Sequence, residues 1–241
     1  METYKLKGEH IGNDGINDDK AYYSTSRNAD RTFSNVRELS VSNSTLNQLA
    51  NTVAEESSGN WKESFGLASS ISNIANLKNK TIENTLKTEG IFGYNNGGNS
   101  TDHNNNSKYG MQAALNAVLG GIDFSNGATK WDGIDFLAWG LNSPNGTPHN
   151  KFEEYKAIYI EAGIYRNFKN SIINSEGKSV RYGGKSYSLP ASVFNDISNW
   201  KMPSLSAPWC GFMYSTGVKT SNSLDASAAY GNTIFWKVLK E

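Results

Sequence analysis

From Ser44 to Leu77 apolar residues recur at helical spacing in two runs, and the short polar break between them constrains the fold more than any other feature. In the first run Leu46, Leu49, Ala50 and Val53 fall at i, i+3, i+4 and i+7, with Asn43 or Ser44 placed as the N-cap. The second run, Trp61 to Leu77, turns Phe65, Ala68, Ile71 and Ile74 inward. Between them stand Glu55, Glu56 and a Ser-Ser-Gly break. Extending the first stripe by three residues from Val53 reaches Glu56, whereas Glu55 lies about 100° around the axis. Glu56 therefore follows the core face and Glu55 leaves it. Desolvation on an apolar face disfavours the charged form of an acid, and so does the negative end of the helix dipole. That is the setting of a proton donor. A solvated helix end is the alternative, and the pattern alone leaves both open.

Further along, TIENTLK reads as a short helix through Ile82 and Leu86, and FGYNNGGNSTDHNNNS as a loop. SKYGMQAALNAVLGG places Met111, Ala114, Leu115, Val118 and Leu119 on one face of a helix that a Gly pair ends. GIDFSNGATKW reads as a turn entering an exposed extended segment, and NKFEEYKAIYIEAGIYRNF as a helix through Phe152, Tyr155, Tyr159 and Ala162. Strands are predicted at Lys185 to Leu189, Gly211 to Val218 and Thr233 to Leu239. Residues 1–43 are polar and read as an extended arm with one short strand at Lys20 to Ser24. Helices first and strands late suggest an α+β fold, mainly helical, with the main domain at 44–241.

Charge and composition narrow the function. Lysine plus arginine and aspartate plus glutamate each number 23, so no basic field points to nucleic acid. Aromatics at 12%, among many Gly, Asn and Ser, suit loop-rich surfaces that hold carbohydrate. Cys210 is the only cysteine, which excludes an intramolecular disulfide. The N-terminus has no apolar core segment and no stretch of 18 apolar residues occurs, so neither a signal peptide nor a membrane span is expected. Action in the periplasm or cell wall would then follow non-classical export or lysis. GNDGINDDK lacks the downstream Glu of a calcium loop, and His103 and His149 read as solvated loop histidines without clustered partners. No metal and no cofactor are called for.

The run from Leu49 to Asn73 resembles the opening motif of the SleB-type cell wall hydrolases, in which a helix ends in an essential Glu, a small-residue break follows and the next helix ends in Asn. The pair Glu56-Ser57 is also similar to that of the wider lysozyme-like lytic transglycosylases. Two more segments keep the family's order: Ala113 to Trp131, with its Gly-x-Asp turn and Asn-Gly-Ala-Thr strand, and YGNTIFWKV at the end. The linker between the first two helices is one residue shorter than the family's and lacks its Gln. Ile74 stands where Arg is usual, and Thr233 where His is common. Residues 139–206 exceed the family's length and read as an insertion that shapes the cleft or meets a partner.

The resemblance implies a lysozyme-like domain that cleaves the MurNAc-GlcNAc bond of peptidoglycan, as a lytic transglycosylase or a muramidase, with Glu56 as the general acid. Hydrolysis needs a second carboxylate. Asp102, Asp123 and Asp132 are the candidates, Asp123 reading better as a turn cap. Transglycosylation needs none, because the substrate's own 6-hydroxyl attacks. Ser57, Tyr94, Thr129 and Trp131 are the expected substrate contacts, the two rings to stack on sugars and Thr129 to bond an N-acetyl group. An exported antibacterial effector would imply an immunity protein and a secretion apparatus; a phage endolysin would need neither. Two rivals stand beside this reading. SAPWCGFMY around Cys210 is similar to NlpC/P60-like cysteine peptidases, although all three histidines precede the cysteine. The other rival is a non-catalytic carbohydrate-binding or phage structural module.

Overall fold

A computed structural model describes residues 2–5, 7–13, 15–102, 108–133 and 224–238, the strand segments 159–161, 179–182, 185–188, 200–201 and 211–214, and positions 164 and 167. Helices and strands are both present, as an α+β chain requires. Two compact units divide at residue 127, Met1–Gly127 and Ala128–Glu241.

The first unit opens with strands rather than an extended arm: β1 (Glu2–Tyr4), β2 (His10–Gly12), β3 (Lys20–Tyr23), β4 (Ser26–Arg27), β5 (Phe33–Ser34) and β6 (Arg37–Ser42). The sheet order is β2-β1-β3-β6, with β1 parallel to β3 and the other pairs antiparallel. The expected strand at Lys20 is β3. Its partners are β1, three residues long and joined to it in parallel with β2 intervening, and β6, which returns to it after β4 and β5.

Strand β6 runs straight into helix α1 (Asn43–Glu56), whose N-cap Ser42 accepts from the Thr45 amide at 3.1 Å. Asp19 adds a second cap, accepting from Ser44 N at 2.8 Å. Tyr4, 1% exposed, donates its phenol to Asn43 Oδ1 at 2.6 Å and so ties the sheet to the helix start. Burial pushes that phenol up to about 12.

Helix α2 (Trp61–Leu77) starts at the N-cap Asn60, whose side chain accepts from the Lys62 and Glu63 amides. It ends where Asn79 turns left-handed at φ 49° and Lys80 N reaches back to Ala75 O. Helix α3 (Ile82–Thr88) is short, and α4 (Lys108–Val118) closes in a Schellman motif. There Gly120, at φ 70°, donates to Ala117 O and Gly121 to Asn116 O. Helix α4 packs on both α1 and α2. Leu46, Leu49, Val53, Leu67, Ile71, Met111 and Leu115 form the core between them, each 0–1% exposed. Full burial of such side chains contributes about 1.5–3 kcal/mol apiece.

The second unit holds a six-stranded sheet in the order β11-β12-β8-β13-β14-β7 and a hairpin of β9 and β10. Its members are β7 (Lys130–Gly133), β8 (Tyr159–Glu161), β9 (Ser179–Tyr182), β10 (Lys185–Ser188), β11 (Trp200–Lys201), β12 (Gly211–Tyr214), β13 (Leu224–Tyr230) and β14 (Thr233–Val238). The three late strands expected from the sequence appear as β10, β12 and β14. The helix expected through Tyr159 does not: Tyr159–Glu161 pairs with β12 and touches β13. Tyr and Ile favour strands, and tertiary pairing overrides the helical spacing read there. Phe152, Tyr155 and Ala162 lie outside the described residues, as do His103, His149 and Cys210. Among the described residues no helix is long and apolar enough to cross a membrane.

Candidate functional site

Glu56 is the last residue of α1. Its neighbour Glu55 is exposed, whereas Glu56 is half-buried, so the helical phase separates the two acids as the apolar stripe requires. The Gly/Asn loop supplies what covers Glu56. Following Ile91, which is buried, the chain bends into an irregular π-helical turn, Tyr94–Gly98, laid along α1. Gly93 donates its amide to Glu56 Oε1 at 2.5 Å.

Glycine is required at that contact. A Cβ on Gly93 would stand 2.7 Å from Glu56 Cγ and 2.8 Å from the Thr52 carbonyl oxygen. One on Gly98 would meet Thr52 Cα at 2.6 Å. Further out, Asn51 donates to the carbonyls of Ser100 and Asp102 at 2.8 and 3.2 Å, and Gln48 to that of Asn99 at 3.0 Å. The turn is thereby fastened to the helix over three successive turns of α1.

Beyond Glu56 the backbone leaves the helix at Ser57, whose amide still donates to Val53 O at 3.0 Å. The Ser57 hydroxyl lies 3.2 Å from Glu63 Oε2 and 2.9 Å from Ser64 Oγ, and accepts from the Gly59 amide at 3.1 Å. A hydroxyl has one proton and two lone pairs, so these contacts fill it. Ser57 is thus engaged in the α1–α2 junction. Glu63 is 0% exposed, and the sequence reading passed over it. The spacing Asn60-x-x-Glu63, that of a capping box, was the signal available for it.

Tyr94 is half-buried and opens the turn directly after Gly93, whose amide bonds Glu56. Thr129 and Trp131 belong to the second unit. Thr129 donates its amide to Trp236 O at 3.1 Å, and its hydroxyl oxygen is buried with no hydrogen-bond partner among the described residues. Trp131 is half-buried on β7 opposite Phe235 of β14.

The three candidate second carboxylates have different fates. Asp123 is a turn residue: it accepts from Ser125 N at 2.8 Å, Ser125 Oγ at 2.6 Å, Gly127 N at 2.7 Å and Asn73 Nδ2 at 3.1 Å. Partial burial works to raise its pKa, but these bonds outweigh it and hold the carboxyl below the usual range. Asp132 is 5% exposed and accepts from the Trp236 indole at 3.0 Å. Asp102 is exposed on the loop. Among the described residues no group of three His, Cys, Asp or Glu is arranged to hold a metal.

Aromatic side chains gather at the start of α2. Trp61, Phe65 and Phe124 meet edge to face with centroids 5.3–5.7 Å apart, and Trp61 remains 44% exposed. Comparison with known proteins adds no relative: no family model matches the chain, and no curated protein or solved structure matches it either.

Proposed function

We propose that the protein cleaves the MurNAc-GlcNAc bond of peptidoglycan, with a lysozyme-like arrangement in its first unit and Glu56 as the general acid. The observation that supports this most is the fixing of Glu56: a half-buried carboxyl at a helix end, held by the Gly93 amide under a turn that only glycine permits. General acid catalysis needs such a group, with its position set before substrate arrives. The likeness of Leu49 to Asn73 to the SleB-type motif points to the same residue.

Lytic transglycosylation fits better than hydrolysis. Asp123 is committed to its turn and Asp132 is buried against Trp236, which leaves the exposed Asp102 alone of the three candidates to serve as nucleophile or base. In the one-acid route Glu56 gives its proton to the glycosidic oxygen, and the GlcNAc 4-hydroxyl leaves. The MurNAc 6-hydroxyl then closes on C1, and the glutamate takes that hydroxyl's proton. Tyr94, next in sequence to the Gly93 that bonds Glu56, is the ring proposed to pack against a sugar. Action would be in the periplasm or cell wall, as an exported effector paired with an immunity protein or as an endolysin.

Digestion of purified sacculi tests the reading. Wild type should release muropeptides ending in 1,6-anhydro-MurNAc, and Glu56→Gln should lose about 10²- to 10⁴-fold in rate while keeping its fold. Glu55→Gln, on the exposed side, should change little. Equal clearance by wild type and Glu56→Gln would end the proposal, and reducing-end MurNAc alone would replace transglycosylation by hydrolysis.

A further inference from the structure

Glu63 is a fully buried carboxyl for which the proposed reaction has no direct use. Its Oε2 accepts three bonds, from Ser57 Oγ at 3.2 Å, Ser58 N at 2.8 Å and Ser58 Oγ at 2.5 Å. Ordinary capping does not account for it. The first-turn amides of α2, Lys62 N and Glu63 N, are already taken by the Asn60 side chain at 3.0 and 3.3 Å. What Glu63 grips lies on the other side, in the two residues that follow Glu56. The last turn of a helix frays unless something holds the chain beyond it, and Glu56 occupies that turn. Its carboxyl is fixed by Gly93 from one side and the backbone just after it by Glu63 from the other.

We infer that Glu63 is a positioning residue, which holds the Ser57-Ser58 turn and thereby keeps Glu56 in register with the glycan. This rests on the reading of Glu56 as the general acid. Three bonds converge on Oε2, so the role asks for an acceptor atom at that place. An amide oxygen can fill it.

The test compares Glu63→Ala with Glu63→Gln, using soluble uncrosslinked peptidoglycan strands at a temperature well below both melting midpoints. Displacing a catalytic group by about an ångström costs up to about 10²-fold, so Glu63→Ala should lose at least about tenfold in kcat with KM nearly unchanged. Glu63→Gln should restore kcat to near the wild-type value. A folded Glu63→Ala enzyme with wild-type kcat would make the residue merely structural and overturn the inference. A Glu63→Gln as impaired as Glu63→Ala would overturn it too, because charge would then be what acts. Should Glu63→Ala not fold, Ser58→Ala decides: it removes one of the three donors, and only a lowered kcat sustains the inference. Failure of the underlying reading looks different. Wild type and Glu56→Gln would then have equal rates on the same strands, and the positioning role would fall with it.

Discussion

At Gly93 a side chain would have to displace either the Glu56 side chain or the Thr52 carbonyl, and a helix carbonyl in the core cannot give way cheaply. Overpacking of this kind typically costs about 1–3 kcal/mol. Gly93→Ala should therefore lower the denaturant midpoint and, by lifting the turn, weaken the amide bond to Glu56 and slow sacculus clearance. Gly98→Ala meets Thr52, one helical turn before Glu56, and should cost comparable stability with a smaller loss of rate below its melting point. Equal rates for Gly93→Ala and wild type at matched folded fraction would show that this amide does not govern the acid. Legibility at this scale was uneven for a physical reason. The phase of Glu55 against Glu56 is local, set by 100° per residue along a single helix, and the sequence carries it. The close approach of Gly93 and Gly98 to Thr52 joins segments about forty residues apart, and turn chemistry marks such glycines only as loop.

Elements show the same division. Helix α2 was legible to its ends because the apolar spacing is bounded by Asn60 and by a polar Lys-Asn-Lys stop, both local signals. The early strands were not, since none but β6 exceeds four residues and β1 finds its parallel partner β3 only after β2 intervenes. Helix and strand also exchanged places at Tyr159, where pairing with β12 decides. The turn after α4 allows a prediction at this scale. Asp123 has a folded pKa below its unfolded value, so its contribution to stability is present above the unfolded carboxyl range, about 3.9, and is lost as pH falls through the folded value. Wild type should thus melt at progressively lower temperature on acidification below that range. Asp123→Asn should melt lower than wild type near neutrality, and the difference should shrink as pH drops. A difference constant from neutrality to acid would mean that the hydrogen bonds from Ser125, Asn73 and Gly127 do not depend on the charge.

The whole molecule divides where this turn ends. Residues 1–127 contain α1 to α4, the sheet of β1, β2, β3 and β6, and a core of Leu46, Leu49, Leu67, Ile71, Met111 and Leu115. Their last segment is anchored internally, with Asn73 bonding Asp123 and Ser125 and with Gly127 bonding Asp123. A chain of that length with its own core is large enough to fold alone. The fragment 1–127 should therefore show helical circular dichroism and a single cooperative melting transition. It keeps Glu56, Glu63, Gly93 and Tyr94 but lacks Thr129 and Trp131, so its rate on sacculi measures what the second unit adds. Retained cleavage with weakened binding would place the chemistry in the first unit and glycan contacts in the second. A fragment that folds and binds sacculi but cleaves nothing would show that cleavage needs residues 128–241 as well. A fragment that fails to fold would refute the independence of the first unit itself.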